Sequence, residues 1–193
     1  MSEKNERAEK LIAELKKRGF DAYYAQTKNE AAEKALSLIP AKSSVAWGGS
    51  VSVDQSGLLA KVKSGDFALI DRDTAKTPEE RVELMRKGLT ADVFLTSFNA
   101  VSEDGVLFNI DGNGNRVAAI TFGPKSVVAV VGMNKVVASE SDLEKRALTV
   151  AAPLNAKRLN VDERDICAIF VKTRICKNKG RIKIVLCGED LGY

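Results

Sequence analysis

The sequence contains no histidine among its 193 residues. This absence excludes the Ser-His-Asp and Cys-His arrangements of nucleophilic enzymes, and it excludes any metal site built on imidazole. A general acid or base in this chain would therefore be Asp, Glu, Lys, Tyr or Cys, with a pKa moved toward neutrality by burial or by a neighbouring group.

Cysteine is scarce: the chain has Cys167, Cys176 and Cys187, with no C-x-x-C pair. An iron–sulfur cluster or a structural zinc ion usually needs four ligands, most often thiolates. Three cysteines without histidine fall short, so the sequence predicts no metal site; a site shared between chains is the remaining alternative. The odd count, in a chain without an export signal, also favours a reducing cytoplasm.

Long apolar runs are missing too, since no segment approaches the roughly 20 residues that a membrane span needs. The N-terminal segment MSEKNERAEK is charged rather than apolar, so we expect no signal peptide. The net charge of +4, from 30 basic and 26 acidic residues, is too small to indicate nucleic-acid binding. We expect one cytoplasmic domain over residues 1–193, with 45% apolar residues to form its core.

What the sequence does contain is an alternation of strand-like and helix-like segments. The strand-like segments are 20–25, 44–47, 67–70, 92–101, 106–110, 126–131 and 181–187. Apolar residues at helical spacing and capping patterns, such as TPEE from Thr77, predict helices between most of them. This order predicts an α/β fold with a mostly parallel sheet and helices on both faces. The Asp104-Gly105 turn adds one antiparallel hairpin, because so short a turn joins only antiparallel strands.

Polar residues follow the predicted strands, where ligands of open parallel sheets bind. Gly48, Gly49 and Ser50 come directly after segment 44–47 and before a helix. Glycines allow backbone N–H groups to approach an anion, and the start of a helix favours negative charge. The sequence predicts either an anion-binding turn or a tight connection here.

The segment DGNGNR supplies Asp111, Asn113, Asn115 and Arg116. A forked guanidinium near the start of a helix can bind a carboxylate or a phosphate through two hydrogen bonds. The alternative is an Arg116–Asp111 pair that only holds the loop. We favour ligand contact, because two glycines, two asparagines and an Asp–Arg pair exceed what one turn requires.

Three further side chains are candidates for the same site. Ser97 and Asn99 lie at the end of an apolar run, from which they can hydrogen-bond into the mouth of the sheet. Lys135 follows segment 126–131 and is either a binding residue or a solvated charge. Together these sets predict one cleft for an anionic small molecule.

Residues 91–135 also resemble a known family. The pattern TSxNAVxEDGxLxNIDGxGNRVAAxxFGPKxVxxVVGxNK resembles the LUD (lactate-utilisation) domain, in the branch of LutC- and YkgG-like proteins. The resemblance implies the sheet class of ribose-phosphate isomerases, glucosamine-phosphate deaminases and coenzyme A transferases. It also implies participation in the oxidation of L-lactate to pyruvate, beside partner subunits that carry iron–sulfur clusters. By analogy with related sheet enzymes that use a carboxylate, Glu103 is the catalytic candidate.

Two other functions stay open at this point. One is an independent enzyme that acts on a phosphorylated or CoA-linked small molecule through a carboxylate. The other is a scaffold that recruits partners through residues 157–183, which hold nine basic and three acidic residues. The chain has no strand-linked GxGxxG and no cluster motif, so we predict no cofactor in it, and iron–sulfur clusters only in partner subunits.

Overall fold

The computed structural model describes residues 3–193. The strands are β1 (Asp21–Ala25), β2 (Ser44–Trp47), β3 (Ala68–Ile70), β4 (Val93–Thr96), β5 (Ala100–Ser102), β6 (Leu107–Asp111), β7 (Ser126–Gly132), β8 (Val136–Val137), β9 (Ile169–Thr173) and β10 (Ile182–Cys187). The α-helices are α1 (Glu3–Lys17), α2 (Lys28–Ser37), α3 (Val51–Gln55), α4 (Leu58–Ser64), α5 (Pro78–Gly88), α6 (Asn115–Thr121), α7 (Asp142–Arg146), α8 (Ala152–Leu159) and α9 (Glu163–Ile166).

A six-stranded sheet with the order β1-β10-β7-β4-β2-β3 forms the centre, and all its strand pairs are parallel. Alternate residues of β7 enter two separate cores. Val127, Ala129 and Val131 pack in a core that includes α1, whereas Val128 and Val130 pack in one that includes α2 and α4. Burial on both faces explains why β7 is a continuous apolar run rather than an alternating one. The α/β class with helices on both faces is confirmed.

A smaller sheet with the order β8-β5-β6-β9 lies beside the first. The hairpin predicted at Asp104-Gly105 joins β5 to β6, and Gly105 has the positive φ of 83° that favours glycine in this turn. The single strand predicted over 92–101 is wrong. β4 belongs to the large sheet and β5 to the small one, with 97–99 between them. An apolar run in the sequence indicates that its residues are buried, but it does not reveal where the chain passes from one sheet to another.

Strand β9 was not predicted, and it pairs antiparallel with β6 at the edge of the small sheet. Its residues are exposed or only partly buried, with Phe170 at 42% and Ile169 at 36%, so it lacks the buried pattern of most other strands. The predicted helix through Leu58 and Val62 is α4, which a left-handed Gly57 (φ 81°) separates from the short α3.

The part of the chain that the structure describes contains no helix long and apolar enough to cross a bilayer.

Asp92 ties together the amino ends of neighbouring strands. Its Oδ2 accepts hydrogen bonds from the Ser44 backbone N–H (2.9 Å) and hydroxyl (2.6 Å), and its Oδ1 lies 2.7 Å from Lys125 Nζ. Hydrogen bonds from Lys125 and Ser44 hold the pKa of the Asp92 carboxyl well below its ordinary value. A carboxylate with a lowered pKa stabilises the fold above its unfolded pKa, about 3.9, and this stabilisation is lost as the pH falls.

We therefore expect Asp92→Asn to lower the urea midpoint at pH 7, and the difference from wild type to shrink as the pH falls below about 4. Urea unfolding at a series of pH values measures this. Asp66→Asn, at an exposed aspartate without side-chain hydrogen bonds among the described residues, is the control and should change the midpoint little. A deficit for Asp92→Asn that persists unchanged in strong acid would contradict the role of the charge.

Candidate functional site

A cleft of about 300 Å³ opens at the carboxyl edge of the large sheet. Its lining comes from the segments that follow β2, β3, β4 and β7, from the β6–α6 loop, and from α5, α8 and α9. Strands that run parallel deliver their following loops to one edge, so residues far apart in sequence meet there. The predicted residues that line this cleft are Gly49, Ser50, Ser97, Asn99, Asp111, Asn113, Asn115, Arg116 and Lys135.

Gly48 does not line the cleft but packs behind Arg116. A Cβ at Gly48 would lie 3.3 Å from Arg116 Cδ, so the glycine leaves room for the arginine stem. Its N–H donates to the Leu95 carbonyl (3.3 Å) and is not available to an anion. Ser50 is the N-cap of α3, where its Oγ accepts from the Val53 N–H at 3.4 Å. Gly48 therefore shapes the cleft, and its N–H is not one that the GGS turn offers to an anion.

Asp111 holds the loop through the backbone. Its Oδ2 accepts from the N–H groups of Arg116 (3.0 Å) and Val117 (3.2 Å), which caps the first turn of α6. Gly114, at φ 81°, lets the chain turn into this helix. The Asp111–Arg116 pairing considered from the sequence exists, but it uses the arginine's backbone N–H, which leaves the guanidinium for other contacts.

The Arg116 guanidinium is partly buried in the wall of the cleft. Its Nη2 donates to Asn99 Oδ1 at 3.1 Å and to the Ile110 carbonyl. Burial lowers the pKa of Arg116 from its ordinary value, but a guanidinium stays protonated at neutral pH. A fixed positive charge, held by neutral acceptors, therefore faces the cleft.

Lys135 is buried, with 5% of its surface exposed. Its Nζ donates to Ser52 Oγ (2.7 Å) and to Ser97 Oγ (3.2 Å). Burial, with the charges of Arg146 and Arg116, lowers the pKa of Lys135 to about 7. The alternative of a solvated charge is therefore wrong.

Three arginines of the cleft were not found from the sequence: Arg72, Arg81 and Arg158. Arg72 follows β3 closely, so the strand-end rule used for the other sites would have found it. Its Nε is buried without a hydrogen-bond partner among the described residues, and burial lowers the pKa of its guanidinium. Arg158 lies on α8 with its Nη2 2.8 Å from Asn155 Oδ1, and no local pattern indicated it.

The cleft is strongly positive. Its cationic side chains are those of Arg72, Arg81, Arg116, Lys135 and Arg158. Its carboxylates are Asp111, which caps α6, and Asp165. Such an excess of guanidinium groups suits an anion with several oxygen atoms.

Glu103, the catalytic candidate, does not line this cleft. It lies in the β5–β6 turn, where its Oε1 accepts from Arg7 Nε at 2.6 Å and its side chain is 45% exposed. The structure does not bring it together with the other candidates, because the hairpin carries it from the strand ends to a surface ion pair with α1. The cleft carboxylates are Asp111 and Asp165 instead.

The cysteines are dispersed. Cys187 is buried at the end of β10, Cys176 is buried with its Sγ donating to the Asn178 carbonyl (3.0 Å), and Cys167 is partly buried after α9. No three His, Cys, Asp or Glu side chains of the described residues are grouped so that they could hold a metal ion.

The fold and the geometry define an α/β protein with a positively charged cleft at the carboxyl edge of its parallel sheet. The chain belongs to the LUD domain family, whose sequence model matches residues 8–187. This family is associated with lactate utilisation. A search of curated proteins found no match.

Among solved structures, the chain is similar to a DUF162 family protein from Deinococcus radiodurans, with a TM-score of 0.59 and 11% identity over 97% of this chain and 100% of that one. At this identity the likeness concerns the fold alone. Lower likenesses are found to eIF2B beta from Chaetomium thermophilum (TM-score 0.41, 16% identity, 61% of this chain and 45% of that one). A similar match is found to eIF2B delta of the same organism, with a TM-score of 0.40 and 16% identity over 72% of this chain and 57% of that one.

Asn99 offers a direct test of how the cleft is held. We expect Asn99→Ala to destabilise the fold by about 1–3 kcal/mol, because the Ile110 N–H (3.0 Å) and Arg116 Nη2 lose their shared acceptor. Urea unfolding measures the change. Asn99→Asp keeps an acceptor oxygen and should recover most of the loss, and Asn113→Ala, at an exposed lining residue, should cost little. Equal stability of Asn99→Ala and wild type would contradict this role.

Proposed function

We propose that this chain binds a small anionic molecule in the cleft and that this binding is its part in lactate utilisation. One observation carries the proposal: five cationic side chains from five different elements meet in one cleft of about 300 Å³. Like charges repel, so such a gathering is unfavourable for stability alone and becomes favourable when an anion occupies the space between them.

The chemistry of the lining suits a carboxylate that carries an adjacent hydroxyl or carbonyl group. Guanidinium forks bind carboxylates through two parallel hydrogen bonds. Ser97 and the amides of Asn113 and Asn115 can hydrogen-bond a neighbouring oxygen of the ligand. L-lactate and pyruvate have these groups. Within the LutC-like branch that the 91–135 pattern resembles, the chain would serve as the substrate- or partner-binding subunit, in the cytoplasm, beside subunits with iron–sulfur clusters.

A second candidate is an enzyme that acts on a phosphorylated or CoA-linked molecule. The excess of positive charge favours it, since five cations exceed what a three-carbon monoanion needs. A carboxylate that takes part in such a reaction would be Asp165, because Asp111 caps α6 and Glu103 lies outside the cleft.

The scaffold alternative has less support. Several basic residues of 157–183 are engaged within the chain: Arg181 Nη1 donates to the Ile120 carbonyl (2.7 Å), and Lys172 Nζ lies 2.9 Å from Glu140 Oε1. Arg158 lines the cleft. The basic segment is therefore not one free face.

Arg116→Ala tests the binding proposal. Loss of a charge-assisted, bidentate hydrogen-bonding contact should weaken anion binding by about 1.5–3 kcal/mol, roughly ten- to 150-fold. Thermal-shift screening of L-lactate, pyruvate, sugar phosphates, adenine nucleotides and CoA identifies the ligand, and calorimetry compares the variants. Arg116→Lys should restore only part of the affinity, since a point charge does not reproduce the fork.

The exposed Arg86→Ala on α5 is the matched control and should bind like wild type. If Arg116→Ala folds normally and binds the identified ligand as tightly as wild type, Arg116 has only a structural role.

Metal content tests the proposal that this chain carries no cluster. Protein purified without oxygen should be colourless and hold far less than one iron or zinc per chain, because its three cysteines are dispersed. Elemental analysis and visible absorbance measure this. Stoichiometric iron with visible absorbance would contradict it and would make this chain an electron carrier.

A further inference from the structure

Among the described residues, the amine of Lys135 forms hydrogen bonds to neutral groups only. Ser52 of α3 and Ser97, which follows β4, provide its hydrogen-bond partners, and Ser52 Oγ in turn lies 3.2 Å from the Leu191 carbonyl. A neutral amine has two N–H groups and one lone pair, whereas an ammonium has three N–H groups. Among the described residues, two partners are found for Nζ, which fits the neutral form and leaves a third N–H of the ammonium unpaired.

Two positively charged side chains act on this amine. Arg116 of α6 and Arg146 of α7 both act on it with positive charge. The segment after β10 also comes close, since a Cβ at Gly192 would lie 3.1 Å from Nζ. Tyr193 of this segment lines the cleft, and its backbone oxygen accepts a hydrogen bond from Arg146 Nη1 at 3.3 Å. No carboxylate of the described residues pairs with Lys135. In the empty cleft, burial and two arginines therefore oppose a proton on the amine.

An anion changes this balance. Negative charge in the cleft beside Arg116 offsets the positive field and favours the ammonium over the amine. The ammonium then supplies a third N–H, for which ligand oxygen atoms are the missing acceptor. The arginines cannot respond in this way, because they stay protonated at every relevant pH.

We propose that an anion enters the cleft together with one proton, and that Lys135 accepts this proton. The inference rests on the proposed function, and it adds that Lys135 adjusts the charge of the site to the ligand. The preferred ligands are anions that are fully charged at neutral pH, such as carboxylates of 2-hydroxy and 2-oxo acids or doubly charged oxyanions. By linkage, binding with one proton becomes about tenfold weaker for each pH unit above the range in which the empty site is protonated.

The test uses the full chain with pyruvate, L-lactate and sulfate, which do not titrate near neutrality. Calorimetry above pH 7, in buffers of different ionisation enthalpy, should show uptake of a proton and an affinity that falls about tenfold per pH unit. Lys135→Met should bind with no proton uptake and little pH dependence over the same range. Lys87→Met, at an exposed lysine of α5, should behave like wild type.

A second measurement follows the amine itself and does not depend on the variant's folding. In wild-type protein with ¹³C-labelled lysine, the Lys135 side-chain signal should titrate near neutrality in the empty protein and at higher pH with bound anion. Anion binding without proton uptake, or a Lys135 that stays protonated in the empty protein up to the range of ordinary lysines, would overturn this inference and leave anion binding intact. Failure of these three anions, and of every anion in the thermal-shift screen, to bind would overturn both proposals.

Discussion

The geometry of the cleft depends on the hydrogen bonds of Asn99, at the point where the chain leaves the large sheet for the small one. Its N–H donates to the Phe108 carbonyl at 3.0 Å, and its Oδ1 accepts from the Ile110 N–H and from Arg116 Nη2. Its carbonyl accepts from Arg146 Nη1. One residue thus ties the hairpin, α6 and α7 to the end of β4. Because buried polar groups must be paired, none of these elements can shift without losing a hydrogen bond.

Helix α6 is held at both ends, and this fixes the direction of its arginine. The Asp111 carboxylate caps its first N–H groups, and the Arg181 guanidinium binds carbonyls at its end, with Nη2 2.7 Å from Ala119 O and Nε 3.0 Å from Pro124 O. Charges of these signs also match the partial charges of a helix at its two ends. Arg116 therefore projects from a rigid support, and a fork with fixed geometry loses little side-chain entropy when it binds a ligand.

Residues of the cleft could be predicted from the sequence where a local pattern, such as a polar residue after an apolar run, indicates their position. Gly49, Ser97 and Lys135 could be identified because each closely follows an apolar run, and parallel strands bring such ends together. Arg116 was identified instead from the dense polar and glycine-rich segment DGNGNR that contains it. Long-range packing could not be identified in this way: the change of sheet after β4 falls inside one apolar run, and Arg158 reaches the cleft from α8. The distance of Glu103 from the cleft could not be inferred for a related reason, since analogy supplied a carboxylate but not its direction, and the hairpin turns it toward α1.

The two kinds of cation in the cleft have different physical consequences. A guanidinium keeps its charge under nearly all conditions, so the arginines impose a permanent positive field whether or not a ligand is present. The fold must offset this permanent repulsion. The Asn99 amide oxygen and the Ile110 carbonyl accept hydrogen bonds from Arg116, and Asp73 Oδ1 lies 2.9 Å from Arg81 Nη2. A buried lysine can instead lose its proton and remove one repulsive charge. Lys135 is the least exposed of the cationic side chains that line the cleft, and burial together with Arg146 and Arg116 lowers its pKa to about 7. The lining cation that can lose its charge therefore lies where burial makes a charge most costly.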